Sequence, residues 1–177
     1  MTINYQTIEE TYKSFYKALL EKGKLPLKDT GKGFWNAADT KTIYELLSKI
    51  GRHNSFIDLG SGDGKVVLLA SMFAKKAVGI EYDPELHSKA SEILKKLNAR
   101  NTQLINDDFK NQSIKGFDYV FLNPDKPLFR DEVEKKLHSE LTGKLILFGP
   151  HFHPMSLNKV KEFFVNDIMV SIYENPK

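Results

Sequence analysis

The sequence predicts an α/β protein built on a mostly parallel β-sheet with helices on both faces. Three observations lead to this fold class. Apolar runs of strand length alternate with helical patterns, a glycine-rich bend joins one strand to the next helix, and acidic residues follow several strands. Strands that alternate with helices pair in parallel through right-handed crossovers. Ligands of such sheets bind beyond the carboxyl ends of the strands.

The central strands and helices follow one another in a regular order. Runs rich in β-branched and aromatic residues predict five strands, at 55–59, 77–81, 103–106, 118–122 and 144–148. Helical patterns between them predict three helices, at 65–73, 84–97 and 128–137. Pro84, directly after Asp83, is typical of a first helical turn.

The first part of the chain predicts an amphipathic helix and a connector. Apolar residues recur at helical spacing from Ile8 until Gly23 gives a stop signal. Residues 22–38 are rich in Gly, Pro and Lys without any period, which predicts a connector that a ligand or partner would order. Asp39 then caps the next predicted helix, which Gly51 ends. We therefore divide the chain into 1–38, helix and connector, and 39–177, the main domain.

The C-terminal region predicts an antiparallel β-hairpin. Asn166 and Asp167 form a two-residue polar break between two strand-like runs, 160–165 and 168–173. A helix over the same residues is the alternative.

Composition bounds the functional classes. A chain of 177 residues with a net charge of +3 suits one domain and is less basic than an obligate nucleic-acid binder, although RNA stays open as a partner. The absence of cysteine excludes disulfides, thiolate nucleophiles and cysteine-based zinc sites. No apolar run reaches the length of a membrane span, and the N-terminus lacks secretion-signal features, so we expect a cytoplasmic protein.

Three glycines, Gly60, Gly62 and Gly64, form the bend between the first central strand and the next helix. A lone glycine there favours a plain turn, whereas three favour a ligand that approaches the backbone. A nucleotide P-loop is excluded because Leu59 and Val66 replace its first glycine and its hydroxyl residue. A dinucleotide loop needs glycine at Lys65 and would place the pyrophosphate against the carboxylate of Asp63.

Seven carboxylates follow the predicted strand ends and are expected to gather at one rim: Asp58, Asp63, Glu81, Asp83, Asp107, Asp108 and Asp125. Glu81 ends the second central strand, where an acidic side chain can accept both hydroxyls of a ribose. A positively charged ligand with a ribose and no pyrophosphate describes S-adenosylmethionine.

Three motifs support that cofactor. "DLGSGDGK" at 58–65, "GIEYDPEL" at 79–86 and "NDDF" at 106–109 resemble the Rossmann-like class I S-adenosylmethionine-dependent methyltransferases. The resemblance implies a seven-stranded sheet, with Glu81 as the ribose ligand and Asp107 beside the adenine amino group. The resemblance also implies that Asp58, Gly60, Ser61, Gly62 and Gly64 form the loop around the methionine part. Tyr82 and Phe109 would pack on the adenine ring or belong to the core. Trp35 would close over the cofactor from the connector or pack in the core, and Asp108 is a further candidate contact of the donor.

The motifs do not agree on the methyl acceptor. The motif sequences within 58–86 are similar to those of small archaeal protein-lysine methyltransferases, and this resemblance implies a lysine substrate. "NPD" at 123–125 instead resembles half of the Asn/Asp-Pro-Pro-aromatic motif of enzymes that methylate amino groups of bases, with Asp125 and Lys126 in the two remaining positions. The second hypothesis is therefore an RNA or DNA methyltransferase, with a lysine ridge at 22–32, Lys126 and Arg130. A non-catalytic, cofactor-binding regulatory subunit is the third.

Two candidate groups would act on the acceptor. Asn123, followed by Pro124, would hold the acceptor nitrogen after the fourth central strand. His151 and His153 would line the acceptor pocket or act as a base. No metal site is predicted, because the His-x-His pair lacks a third ligand at a convincing spacing. The oligomeric state is left open.

Overall fold

The computed structural model describes residues 3–124 and 130–176. Its strands are β1 Leu27–Asp29, β2 Phe34–Asn36, β3 His53–Leu59, β4 Ala74–Glu81, β5 Thr102–Asn106, β6 Tyr119–Leu122, β7 Lys144–Phe148, β8 Asn158–Val165 and β9 Ile168–Glu174. Its helices are α1 Tyr5–Glu21, α2 Thr40–Ile50, α3 Lys65–Ala70, α4 Pro84–Lys96 and α5 Arg130–Glu140, with a short 3₁₀ helix over Phe109–Asn111.

The central sheet has seven strands in the order β5-β4-β3-β6-β7-β9-β8. Strands β3 to β7 pair in parallel, and β9 runs antiparallel to both of its neighbours. This topology confirms the predicted α/β fold class. The parallel strands share one carboxyl edge, which is where the glycine bend and Glu81 lie.

Helices cover both faces of the sheet. On one face, helices α1 to α4 contribute to an apolar cluster that includes Phe56 of β3 and Phe121 of β6. On the other face, Val133 of α5 packs in a second cluster with Ile57 and Val120, the neighbours of those aromatic residues in the same strands. Successive strand residues point to opposite faces, so both faces of these buried strands are apolar.

The C-terminal hairpin is confirmed. Asn166 and Asp167 have positive φ values of 45° and 65° and connect β8 to β9. Positive φ at both central residues is the geometry of a type I′ turn, which matches the twist of the strands it joins. Asparagine and aspartate tolerate this left-handed conformation better than most other residues with a side chain, so the two polar residues suit the turn.

The predicted connector is wrong for part of its length, because β1 and β2 form a small antiparallel hairpin within it. Lys28 and Trp35 lie opposite each other and are the half-buried residues of their strands. Lys28 forms ion pairs with Asp83 at 2.8 Å and Glu85 at 2.7 Å. Contacts within the chain therefore order this segment. Each strand has only three residues, which is too short to show a period in the sequence.

Helix boundaries differ slightly from the predicted ones. The α2 helix has the predicted cap, since Asp39 Oδ2 accepts a hydrogen bond from the Thr42 amide at 2.8 Å. The α3 helix ends at Ala70, earlier than predicted, and β4 begins at Ala74. The side-chain amide of Asn101 bonds two carbonyls of the tight turn between them. The first residues of the predicted helix 128–137 lie outside the described residues.

No helix within 3–124 or 130–176 combines the length and apolar character needed to cross a bilayer. The α1 helix is amphipathic, as predicted, and its Ile8 and Tyr12 are fully buried in the first apolar cluster. The α1 helix thus packs on the same core as the sheet, while a domain division at residue 38 stays a prediction.

Candidate functional site

A pocket of about 360 Å³ opens at the carboxyl edge of the parallel strands. The β1–β2 hairpin forms one wall, and the ends of β3, β4, β5, β6 and β7 form the others. Predicted site residues that line it are Trp35, Gly60, Gly62, Glu81, Tyr82, Asp107, Asp108, Phe109, Asn123 and Pro124. The structure therefore brings the predicted donor and acceptor residues to one cavity.

Three predicted donor residues lie beneath the bend instead of lining the pocket. The Ser61 hydroxyl is buried and lies 2.7 Å from the position of a Cβ on Gly79 in β4. Gly64 faces α4, where a Cβ would lie 2.9 Å from the Ala90 Cβ. Asp58 is buried, and burial, with Glu81 and Asp63 nearby, raises its pKa well above the usual range. These residues shape the floor of the bend, and their contact with a donor stays a prediction.

The bend needs glycine for its backbone conformation and for access. Gly60 and Gly62 have φ values of +87° and +53°, in the region that side chains disfavour. The amides of Gly60 and Ser61 both donate to the Ile80 carbonyl at 2.9 Å, which fixes the bend to the end of β4. A Cβ on Gly60 would meet no protein atom within 4 Å. The space beside Gly60 is therefore free for a ligand.

Glu81 holds the bend from the pocket side. Its Oε2 accepts a hydrogen bond from the Gly62 amide at 2.7 Å, and its Oε1 accepts one from the Asp83 amide at 2.8 Å. The side chain is only 6% exposed, and this burial raises the pKa of its carboxyl. A carboxylate oxygen accepts more than one hydrogen bond, so both oxygens keep capacity for ribose hydroxyls.

Asp107 organises the turn after β5. Its Oδ1 accepts from the Asp108 amide at 2.7 Å and from the Asn111 side chain at 2.8 Å, and its Oδ2 accepts from the Gln112 side chain at 2.6 Å. Hydrogen bonds from Gln112 and Asn111 lower the pKa of Asp107. Asp107 therefore presents an ionised carboxylate at the pocket wall near neutral pH.

Lys32, in the turn of the β1–β2 hairpin, reaches across the pocket mouth. Its ammonium forms an ion pair with Asp108 and lies 4.0 Å from the centre of the Tyr82 ring. Tyr82 is 46% exposed, so it is not an ordinary core residue. Lys32 thus links the hairpin to the two walls that carry the predicted adenine contacts.

The predicted rim of seven carboxylates is wrong in extent, because only Glu81, Asp107 and Asp108 line the pocket among the described residues. Asp83 caps α4 and pairs with Lys28, whereas Asp63 accepts a hydrogen bond from the Tyr16 hydroxyl of α1. Asp58 lies below the bend, and Asp125 lies outside the described residues. Asp83 therefore acts as a helix cap and ion-pair partner, and Asp63 as a hydrogen-bond acceptor for α1, instead of lining the pocket as predicted.

The direction of Asp63 also changes the case against a dinucleotide. A pyrophosphate in the pocket would not face this carboxylate, since the carboxylate points to α1. The remaining argument against a dinucleotide is that Lys65 occupies the position of the third glycine in a dinucleotide-binding loop. Lys65 begins α3 and is 2% exposed.

Asn123 and Pro124, the residues predicted to hold the methyl acceptor, follow β6 and line the pocket. His151 and Phe152, which follow β7, line the same cavity, whereas His153 lies 3.3 Å from the Tyr173 hydroxyl and is not part of the lining. In residues 3–124 and 130–176, no three His, Asp or Glu side chains are arranged to hold a metal ion.

The sequence analysis missed several pocket residues, among them Thr30, Phe34, Lys110, Val133 and Phe152. Phe34 had a detectable signal, because an apolar residue beside Trp35 in a polar segment indicates a buried or functional contact. Lys32 was predicted only as part of the lysine ridge, and its pairing with Asp108, 76 residues away in the chain, had no sequence signal.

Comparison with known proteins points to methyltransferases. Residues 37–118 match the family of protein-L-isoaspartate(D-aspartate) O-methyltransferases. An rRNA adenine N-6-methyltransferase from Bacteroides fragilis is 28% identical over 137 residues, covering 72% of this chain and 49% of the relative. The chain therefore spans about half the length of this curated relative.

Solved structures show the same architecture. An RNA methyltransferase from Salinibacter ruber, in complex with S-adenosylhomocysteine, aligns with a TM-score of 0.68 and 19% identity, over 80% of this chain and 95% of that one. The protein yhhF from Escherichia coli aligns with a TM-score of 0.61 and 19% identity, over 76% and 82% of the two chains. The sheet order, the pocket position and these matches identify the fold as that of the class I S-adenosylmethionine-dependent methyltransferases.

Proposed function

We propose that this chain is an S-adenosylmethionine-dependent methyltransferase that methylates an amino group of a base in RNA. The main support for S-adenosylmethionine as the methyl donor is the pocket. In it, the glycine bend and the buried carboxylate of Glu81 meet at the carboxyl edge of the sheet. The RNA acceptor is supported by the named relatives, which include an rRNA adenine N-6-methyltransferase and an RNA methyltransferase.

The residues present fit the parts of the donor. The open space at Gly60 admits its amino-acid portion, Glu81 accepts from its ribose, and the walls formed by Tyr82 and Phe109 flank its adenine. When bound, the donor supplies an electrophilic methyl group on a sulfonium. The half-buried Trp35 and the hairpin it belongs to cover one side of the pocket and exclude water from the reacting groups.

The acceptor end suits a flat base. Leu122, Val133 and Phe152 provide apolar walls, and Asn123 contributes an amide beside them. Enzymes that modify a base extrude it from its stack into a pocket lined by apolar or aromatic side chains. The carbonyl oxygen of Asn123 can accept a hydrogen bond from an amino group and orient its nitrogen towards the methyl carbon. An amino group on a base is neutral at pH 7, whereas a lysine would first have to lose a proton.

The predicted protein-lysine acceptor is the competing hypothesis, and neither named relative with a stated acceptor acts on lysine. Two lysines of the predicted nucleic-acid ridge, Lys28 and Lys32, already pair with carboxylates of this chain. Contacts of these two lysines with RNA phosphates would have to compete with those ion pairs. Both hypotheses share the donor site and differ only in the acceptor.

The decisive test asks which macromolecule in a cell lysate receives the labelled methyl group. The protein is incubated with S-adenosylmethionine carrying a tritiated methyl group and a lysate of the source organism, and the products are treated with nuclease or protease. We expect label that ribonuclease removes and protease leaves in place. Label removed by protease alone would replace RNA with a protein acceptor, and a complete absence of label would leave a cofactor-binding regulatory subunit.

Glu81→Ala is expected to weaken S-adenosylhomocysteine binding by about 1.5 to 3 kcal/mol, because it removes a charged hydrogen-bond acceptor and leaves two backbone amides unpaired. Isothermal titration calorimetry measures the change. Glu92→Ala is the matched control, since Glu92 pairs with Lys89 on an exposed helix face and its loss should leave affinity unchanged. Equal affinity in wild type and Glu81→Ala would remove Glu81 from the donor site.

A further inference from the structure

Two tyrosines of α1 hold the glycine bend from the side opposite the pocket. The Tyr12 hydroxyl donates to the Asp63 carbonyl at 2.9 Å, and the Tyr16 hydroxyl donates to Asp63 Oδ2 at 2.5 Å. Asp63 is 4% exposed and lies between Gly62 and Gly64. Both contacts therefore reach the bend between its second and third glycines, two residues with positive φ values.

Lys65 completes this arrangement. Its backbone amide donates to Asp63 Oδ1 at 3.2 Å, and its ammonium donates to the Ala38 carbonyl. The ammonium also lies 4.5 Å from the centre of the Tyr16 ring, a cation–π distance. Burial raises the pKa of Asp63 and lowers that of Lys65, while each charge acts to offset the shift in the other. The two side chains form a compensated pair under the bend.

The pocket side of the bend has its own restraints. Glu81 accepts from the Gly62 amide, and the Ile80 carbonyl accepts from the amides of Gly60 and Ser61. No residue of α1 is part of the pocket lining. Any effect of α1 on a donor is therefore indirect, and the hydrogen bonds of Tyr12 and Tyr16 reach the bend at Asp63.

We propose that Tyr16 is a positioning residue for the donor: its hydroxyl fixes the Asp63 carboxylate and thereby the bend at 60–64 that faces the amino-acid half of the donor. This inference rests on the proposed function. Tyr16 is only partly buried, and the burial of Ile8 and Tyr12 already anchors α1 on the core. Loss of the Tyr16 hydroxyl should therefore loosen the bend without detaching the helix.

The test compares two ligands that differ only in the amino-acid half. Binding of S-adenosylhomocysteine and of methylthioadenosine, which lacks the amino-acid portion, is measured by calorimetry for wild type and Tyr16→Phe. We expect about tenfold weaker binding of S-adenosylhomocysteine, the loss of one hydrogen bond to a charged group. Methylthioadenosine should bind as in wild type. A purely structural defect would weaken both ligands alike.

Tyr5→Phe is the matched control, because it removes a hydroxyl from the same helix that bonds Glu9 at 2.8 Å, away from the bend. It should leave both affinities unchanged. Asp63→Asn is the second variant and should reproduce the selective loss by weakening the acceptor.

Equal losses for the two ligands, or none, in Tyr16→Phe and Asp63→Asn would overturn the positioning role. A wild-type protein that binds neither ligand would instead overturn the proposed function. The two failures are therefore distinguishable.

Discussion

Asn123→Ala is expected to slow methyl transfer by about 100-fold or more while donor affinity stays the same. Asn123 follows β6 directly and lines the acceptor end of the pocket beside Pro124. Methyl transfer is an in-line displacement, in which a misplaced acceptor costs about 100-fold in rate. The hydrogen bonds that hold Glu81 and the glycine bend in place do not involve this side chain.

Single-turnover rates with saturating donor and an RNA acceptor measure this effect, and calorimetry measures donor affinity. Asn158→Ala is the control, because Asn158 is an exposed asparagine at the start of the edge strand β8, outside the pocket. Unchanged turnover in Asn123→Ala would exclude Asn123 from the mechanism. A parallel loss of donor affinity would show that Asn123 shapes the whole pocket instead of the acceptor end.

Gly62→Ala is expected to destabilise the fold by about 2 to 5 kcal/mol and to disrupt donor binding. A Cβ on Gly62 would lie 2.4 Å from Cδ1 and 2.8 Å from Nε1 of Trp35, and the backbone has a φ of +53°. Left-handed conformation costs a residue with a side chain about 1 to 2 kcal/mol, and overpacking against a fixed ring adds about 1 to 3. Chemical denaturation measures the stability, and calorimetry with S-adenosylhomocysteine measures the pocket.

Gly116→Ala separates the two causes. Gly116 has a φ of +80°, and a Cβ there would meet no atom within 4 Å, so this variant carries backbone strain without a clash. The double variant Trp35→Ala with Gly62→Ala should be more stable than the sum of the single changes predicts, because the contact is gone. If Gly62→Ala costs no more than Gly116→Ala, the Trp35 ring is not a fixed wall of the bend.

Local signals account for what the sequence predicted well. The strand, glycine bend and helix at 55–70 are adjacent in the chain, and the sequence signal for the turn lies in Asn166 and Asp167 themselves. Glu81 was located because it ends a strand, and strand ends share one edge in a parallel sheet. Features set by neighbouring residues are therefore the ones that the sequence reveals.

Long-range contacts account for what the sequence could not show. Tyr16 and Asp63 are 47 residues apart, and Lys28 and Asp83 are 55 apart. The position of Asp63 in the chain did not indicate that its carboxylate turns away from the pocket. The β1–β2 hairpin was missed partly for the same reason, because the residues that hold Lys28 in place, Asp83 and Glu85, lie far along the chain.

The residues that line the pocket lie between Thr30 and Phe152 in the chain. The pocket therefore includes parts of the first hairpin and of the segment after β7. A ligand that binds such a pocket binds only chains in which all of these parts are assembled. By mass action, a ligand at 100 times its Kd would add about 2.7 kcal/mol to the stability of the assembled chain. Saturation with the methyl donor would therefore protect most of the polypeptide against unfolding and proteolysis, including strands that never touch it.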